Sequence, residues 1–338
     1  MAHKQLVSQG IIGGVNVLKE YNLYPEPSKM TWATATDTHS DDVTTETDPT
    51  AKAIYTAYTL QYPDLLTMIN RAEPDFLMHL GDINQIPFNV DSARTLSSLA
   101  GIARQEEILN CPVYHVGGNH DLNYALWTES DCLNFWGTLK DQYVDGKEAE
   151  NTDEAEKRGY YHATRGDLHI FVLNTCNKDV SRPDAWYDID ATQRAWFINE
   201  LNTVPDFKNI IINSHVCLRP NLDEYQGSTD PKDFTIIGST ITELENALEG
   251  YLTTNKNSRI VGWFGGHAHE SMRKEIPIST SGGQSNLNYF TMQWGVFNSQ
   301  SPVYNKADLS FAICSFDKAT RAFDITGMGH QKSYSIQY

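Results

Sequence analysis

No apolar run in this chain approaches the roughly 20 residues that cross a bilayer, so the sequence holds no membrane helix signal. The first residues lack the basic start, apolar centre and small-residue cleavage site of a secretory signal, and the expectation is an unexported, cytoplasmic protein. Cysteine is sparse. Cys111, Cys132, Cys176, Cys217 and Cys314 are odd in number and form no CxxC pair, which argues for buried free thiols in a reducing compartment and against a disulfide framework. Basic residues are also short, with 26 Lys and Arg against 43 Asp and Glu for a formal net charge of −17. Such a field repels polyanions and argues against general affinity for duplex DNA or RNA. There is no internal repeat and no low-complexity tract.

What is present belongs to a globular chain. The apolar share of 40% and aromatic share of 11% fit a packed core and not a disordered polymer, and 338 residues can bury that core within one large domain. Residues 1–30 read as an N-terminal extension, and residues 31–338 as the domain. Within the extension, Gly10-Ile11-Ile12-Gly13-Gly14 lacks the preceding strand and following helix that a phosphate-cradling loop requires.

From residue 31 onward, predicted strands and helices alternate. Strands are expected from Trp32 to His39, Phe76 to Asp82, Cys111 to Val116, Ile210 to Ile212 and Arg259 to Phe264. A helix over 50–72 should be interrupted or restarted at Pro63. Asp91 caps a second helix, while Asp190 with Gln193 and Thr240 with Glu243 have the spacing of capping boxes. Tyr160 to Ala163 pairs with Leu168 to Leu173 across Arg165-Gly166-Asp167, which reads as a hairpin turn and not as an adhesion motif. The acidic stretch 140–158 and the polar stretch 219–238 read as surface loops. A βαβα first half and a strand-rich second half predict an α/β fold of two stacked mixed sheets flanked by helices.

Five polar clusters stand at the C-terminal ends of predicted strands. They are Asp37-Thr38-His39, Gly81-Asp82, Gly118-Asn119-His120-Asp121, His215, and Gly266-His267-Ala268-His269. In open α/β sheets the loops beyond the strands' carboxyl ends converge on one crevice, where ligands bind. Carboxylate, imidazole and amide donors together suit divalent first-row ions, namely Mn, Fe, Co, Ni or Zn. On an extended segment Asp37 and His39 would point to the same side and could hold one ion. Asp82 is the natural bridge between two ions, because a carboxylate has two oxygens to divide between them. His79, His115, His162 and His169 read as core histidines, and His3 and His330 as terminal ones.

The ordered set resembles the calcineurin-like metallophosphoesterases, whose pattern is DxH, GD, GNH followed by an acidic residue, a single His, then GHxH. All five blocks occur here in that order, between about residues 31 and 270. The resemblance implies a four-layer α/β/β/α sandwich. It implies that Asp37, His39 and His269 hold one divalent ion, that Asn119, His215 and His267 hold the other, and that Asp82 bridges them. His120 would face the substrate, stabilising the transition state or protonating the leaving oxygen. The implied reaction is hydrolysis of a phosphate ester by hydroxide shared between the two ions, with no organic cofactor called for. Two such ions would offset about four negative charges where an anionic ester docks.

A phosphodiester is favoured over a monoester, because no basic cluster marks a clamp for a terminal phosphate. Arg219 and Lys232 are the nearest candidates. The expected partner is a small or exposed phosphate ester, with neither membrane nor duplex nucleic acid involved. A second reading makes the chain a structural or attachment component of a larger assembly, such as a virion. It rests on the unassigned residues 1–30, and the complete set of ligand positions stands against it.

Overall fold

The computed structural model describes residues 29–40, 46–85, 92–121, 149–150, 159–176, 187–220, 223, 236, 238–281, 283–293, 295 and 309–338, with backbone alone for 92–95 and 149–150. Along the first half run β1 (Lys29–Ala35), α1 (Pro49–Arg71), β2 (Leu77–His79), α2 (Ser92–Glu106), β3 (Val113–His115), β4 (Ala149–Glu150), β5 (Tyr161–Arg165) and β6 (Leu168–Leu173). The second half adds α3 (Ala191–Thr203), β7 (Asn209–Ser214), α4 (Gly238–Thr254), β8 (Arg259–Gly265), β9 (Met272–Pro277), β10 (Asn286–Thr291), β11 (Phe311–Asp317), β12 (Ala322–Met328) and β13 (Tyr334–Gln337).

The strands form a six-stranded sheet in the order β13-β12-β11-β1-β2-β3 and a seven-stranded sheet in the order β4-β5-β6-β7-β8-β10-β9. Both are mixed. β1, β2 and β3 run parallel while β11 lies antiparallel to β1, and β6, β7 and β8 run parallel while β5 lies antiparallel to β6.

Side-chain alternation makes the layers. In β6, Ile170 and Val172 join the core shared with the first sheet, whereas Phe171 and Leu173 face the cluster built with α3 and α4. β7 repeats the scheme, with Ile211 inward and Ile210 and Ile212 outward. A strand buried on both faces must be apolar throughout, which is why these segments read as continuous hydrophobic runs. Between the sheets Trp32 stacks on Phe76 and Phe323, with centroids at 5.8 and 5.7 Å, and meets Phe264 edge-on at 6.2 Å. Helices α1 and α2 cover the first sheet through Tyr62, Leu65, Leu66, Ile69, Leu99 and Ile102. The result is the expected four-layer α/β/β/α sandwich of two mixed sheets flanked by helices.

Local departures have physical causes. α1 runs unbroken through Pro63. A proline inside a helix costs about 3 kcal/mol, but Tyr62, Leu65 and Leu66 around it are fully buried, each stabilising by roughly 1.5–3 kcal/mol. The capping box at Asp190 is half formed. Asp190 accepts from the Gln193 N–H at 2.8 Å, but the Gln193 side chain turns instead to the backbone N–H and C=O of Asn174, at 2.8 Å each. Thr240 lies inside α4, which begins at Gly238, and its hydroxyl accepts from Arg194 Nη1 at 3.4 Å.

The cap at Asp91, residues 1–28 of the N-terminal extension and most of the loops at 140–158 and 219–238 lie outside the described residues. Of the cysteines, Cys111, Cys176, Cys217 and Cys314 are free thiols, and Cys132 lies outside the described residues. Among the described residues no helix is long and apolar enough to cross a membrane.

Candidate metal centre

The parallel strands β1, β2 and β3 are neighbours in one sheet, and β7 and β8 are neighbours in the other. Each is followed directly by one of the five polar clusters, so the topology delivers all five to one edge of the sandwich. Hydrogen bonds stitch the sheets together there. The His267 N–H donates to Asp37 Oδ2 at 3.0 Å, and His215 Nδ1 meets the Leu80 carbonyl at 2.8 Å.

Three overlapping donor groups result, each with its ligand atoms within 4.8 Å of one another and each able to hold a metal ion. The first is Asp37, His39 and His269, the second His39, Asp82 and His120, and the third Asp82, His215 and His267. In the first, His39 Nε2 and His269 Nε2 face each other at 3.4 Å, and His269 Nε2 lies 3.0 Å from Asp37 Oδ1. In the third, His215 Nε2 is 3.3 Å from Asp82 Oδ2 and 2.9 Å from Asn119 Oδ1. His120 Nε2 stands back at 4.0 Å from Asp82 Oδ2, with a fifth of its side chain exposed. All eight residues singled out in the sequence thus meet at one place, and Asp82 and His39 each belong to two of the three groups.

The backbone here is strained. Asp37, His39, Asp82, His267 and His269 have φ of 51°, 47°, 49°, 64° and 58°, in the left-handed region that side chains avoid. Such conformations cost about 1–3 kcal/mol each and persist where the surroundings over-determine them. The DxH segment is therefore not extended as the sequence suggested. β1 ends at Ala35, and Asp37 and His39 converge because each turns left-handed, not because strand alternation aligns them. Close backbone approach explains two of the motif glycines. A Cβ on Gly118 would lie 2.2 Å from Asp82 N and Oδ1, and one on Gly266 would lie 1.9 Å from Thr36 Oγ1 and 2.5 Å from Asp37 Oδ2.

Electrostatics follow from burial and proximity. Burial alone would raise the Asp37 carboxyl, but the charge and hydrogen bond of His269 outweigh it and hold the group well below the usual carboxylate range. Asp82 is likewise held low, burial being opposed by His215 and His120. His39, fully buried and beside His120, is pushed down to about 3. A neutral imidazole offers a lone pair. Two imidazole nitrogens converging on a carboxylate oxygen make a donor set that fits a divalent cation. The Leu80 carbonyl opposite His215 Nδ1 is the kind of outer partner that orients a ligating histidine.

The sequence pattern missed several supporting groups. Thr36 Oγ1 donates to Asp37 Oδ2 at 2.6 Å, Gln293 Nε2 holds the His269 carbonyl at 2.8 Å, and Tyr187 packs edge-on against His267 at 4.8 Å. Asp121 spans two loops by accepting from the N–H groups of Asn84 and Gly118, at 2.8 and 3.0 Å. Only Asp121 carried a signal, as the fourth residue of its cluster. Arg219 proves to be engaged elsewhere, held in a two-pronged ion pair by Glu245 at 2.5 and 2.8 Å. Lys232 lies outside the described residues.

Two facing mixed sheets bring carboxylates, imidazoles and an amide to their shared edge, a donor set that suits divalent metal ions. The chain belongs to the calcineurin-like phosphoesterase family, whose sequence profile matches residues 30–271. Among solved structures it is similar to a dimetal phosphatase from Danio rerio, with 14% identity, a TM-score of 0.60, and coverage of 91% of this chain and 99% of that one. It also matches a putative 5'-nucleotidase from Staphylococcus aureus at 12% identity and a TM-score of 0.45, over 90% of this chain and 55% of that one. No curated protein matches it in sequence.

Proposed function

We propose that this chain is a binuclear phosphoesterase that prefers phosphodiesters to monoesters. Asp37, His39 and His269 would hold one divalent ion, Asn119, His215 and His267 the other, and Asp82 would bridge them. The observation that carries this reading is the position of Asp82, whose carboxylate is shared between the donor group of His39 and His120 and that of His215 and His267. When bound, such ions act as Lewis acids and make water a competent nucleophile near neutral pH. Manganese, iron, zinc, cobalt and nickel all suit the donor set.

The chain's own residues do the rest. Thr36 and the His267 N–H fix one oxygen of Asp37 and leave the other for a ligand. The His120 N–H donates to Asp82 Oδ1 at 2.8 Å, so the two oxygens are not equivalent as the sequence reading took them to be, and Oδ2, 3.3 Å from His215 Nε2, is the freer one. His120, more open to solvent than His39 or His215, would give a proton to the leaving oxygen. Diester preference draws support from Arg219, four positions after His215, whose ion pair with Glu245 withdraws it from a second negative charge on phosphorus.

The test compares bis-p-nitrophenyl phosphate with p-nitrophenyl phosphate in chelator-stripped protein, with and without added Mn, alongside Asp82→Asn. Metal-dependent release that favours the diester and vanishes in the variant supports the proposal. Bound metal near zero in the native protein sinks it, and faster release from the monoester overturns the diester preference alone.

A further inference from the structure

We propose that His79 is a positioning residue of the metal centre, fixing through Thr38 the turn that carries Asp37 and His39. This rests on the metal-binding reading above and extends it to a histidine outside the five clusters.

His79 ends β2, three positions before Asp82, and is fully buried. Its Nδ1 receives the Gly81 N–H at 3.3 Å, so that nitrogen carries a lone pair and the ring proton of the neutral form sits on Nε2. Nε2 lies 3.0 Å from Thr38 Oγ1 and donates to it. One imidazole therefore grips two segments at once, the turn bearing Asp37 and His39 and the turn bearing Asp82. Desolvation keeps the ring neutral, with its pKa pushed down to about 3.

The grip matters because of what Thr38 separates. Asp37 and His39 on either side of it are both left-handed, and that strain is relieved if the segment relaxes towards an extended form. Backbone bonds from Asp37 N to Gly81 O and from His39 N to Asp82 O, at 2.9 and 3.0 Å, hold the ends of the turn. The Thr38 hydroxyl on His79 holds its middle.

The ring of His79 is itself confined. Tyr62 meets it edge-on at 6.1 Å and His115 lies 6.2 Å away. Glu106 fixes both neighbours, accepting from the Tyr62 hydroxyl and lying 3.1 Å from His115 Nε2 through each oxygen. The chain from α1 and α2 to the centre is thus Glu106, then Tyr62 and His115, then His79, then Thr38.

The experiment measures Mn affinity by calorimetry, and thermal unfolding of the metal-free protein, for the native chain, Thr38→Val, His79→Ala and the double variant. Thr38→Val keeps the shape and removes only the acceptor, so it tests the idea even where His79→Ala fails to fold. The expected result is a 10–100-fold loss of Mn affinity in Thr38→Val, with a change of a few degrees at most in melting temperature. The double variant should be no weaker than His79→Ala, because both act through one bond. Native Mn affinity in Thr38→Val overturns the role of His79 while leaving the metal reading intact. Absence of Mn binding by the native chain overturns both.

Discussion

The backbone N–H of His267 points at the carboxylate of Asp37 from 3.0 Å, across 230 positions of sequence. That contact joins the last polar cluster to the first and holds the two sheets at their shared edge. It requires Gly266, since a Cβ there would overlap Thr36 Oγ1 and Asp37 Oδ2.

Gly266→Ala should therefore damage the centre more than an ordinary core substitution. The clash is with the short side chains of Thr36 and Asp37, which are held by their mutual hydrogen bond and by the His267 N–H, so the cost is about 1–3 kcal/mol or more. Metal affinity should fall together with stability, because Asp37 must move to make room. Calorimetric Mn titration and urea unfolding of the variant check both effects. Native affinity in a destabilised Gly266→Ala would show that the Asp37 contact does not govern the site.

The candidate site was legible because its donor residues come in short, sequence-adjacent clusters at strand ends, where residue type and strand prediction coincide. The sandwich was legible because strands buried on both faces, such as β6 and β7, are apolar throughout. What escaped was non-local. Thr38 and His79 stand 41 positions apart, so nothing near either residue announces their bond. Glu245, which occupies Arg219, lies 26 positions on, in α4. The left-handed turns at Asp37 and His39 replaced an expected extension, because backbone hydrogen bonds to Gly81 and Asp82 and not local propensity hold that conformation. Pro63 was overruled by the buried side chains around it.

His120 is a member of the second donor group but stands outside the proposed ligand set. His120→Ala should keep its full metal content, measured by metal analysis after dialysis. Turnover should drop about 10²–10⁴-fold for alkyl esters, whose leaving oxygen needs a proton, and far less for p-nitrophenyl esters. Equal losses for both classes would exclude an acid role, and loss of metal would make His120 a ligand.

Arg219 should contribute little to catalysis. Its guanidinium is satisfied by Glu245, whose Oε1 also accepts the Tyr289 hydroxyl at 2.9 Å. Arg219→Ala is expected to leave diester and monoester turnover within about twofold of native. A partly exposed pair of this kind contributes about 0–1 kcal/mol to stability. A KM for p-nitrophenyl phosphate raised tenfold or more would instead mean that the arginine leaves Glu245 to grip substrate.

Acid should weaken the fold through histidines held neutral far from the centre, and His169 is the clearest case. It stacks on His162 with ring centroids 5.0 Å apart, and its Nδ1 meets Thr164 Oγ1 at 3.1 Å. Burial, helped by the charges of His162 and Lys208, lowers its pKa from the ordinary 6.5 to about 3. Between those two values the unfolded chain binds a proton that the folded one refuses, so stability falls as pH falls. The contribution is whole above pH 6.5 and declines by about 1.4 kcal/mol per pH unit below it, down to about 3. Urea unfolding in chelator at about pH 7.5 and about pH 5.5 reads the effect without interference from bound metal. The native protein should lose stability between the two, and His169→Gln should lose about 1.4 kcal/mol less. An unchanged pH slope in the variant would mean that His169 titrates normally in the fold and that its burial carries no acid sensitivity.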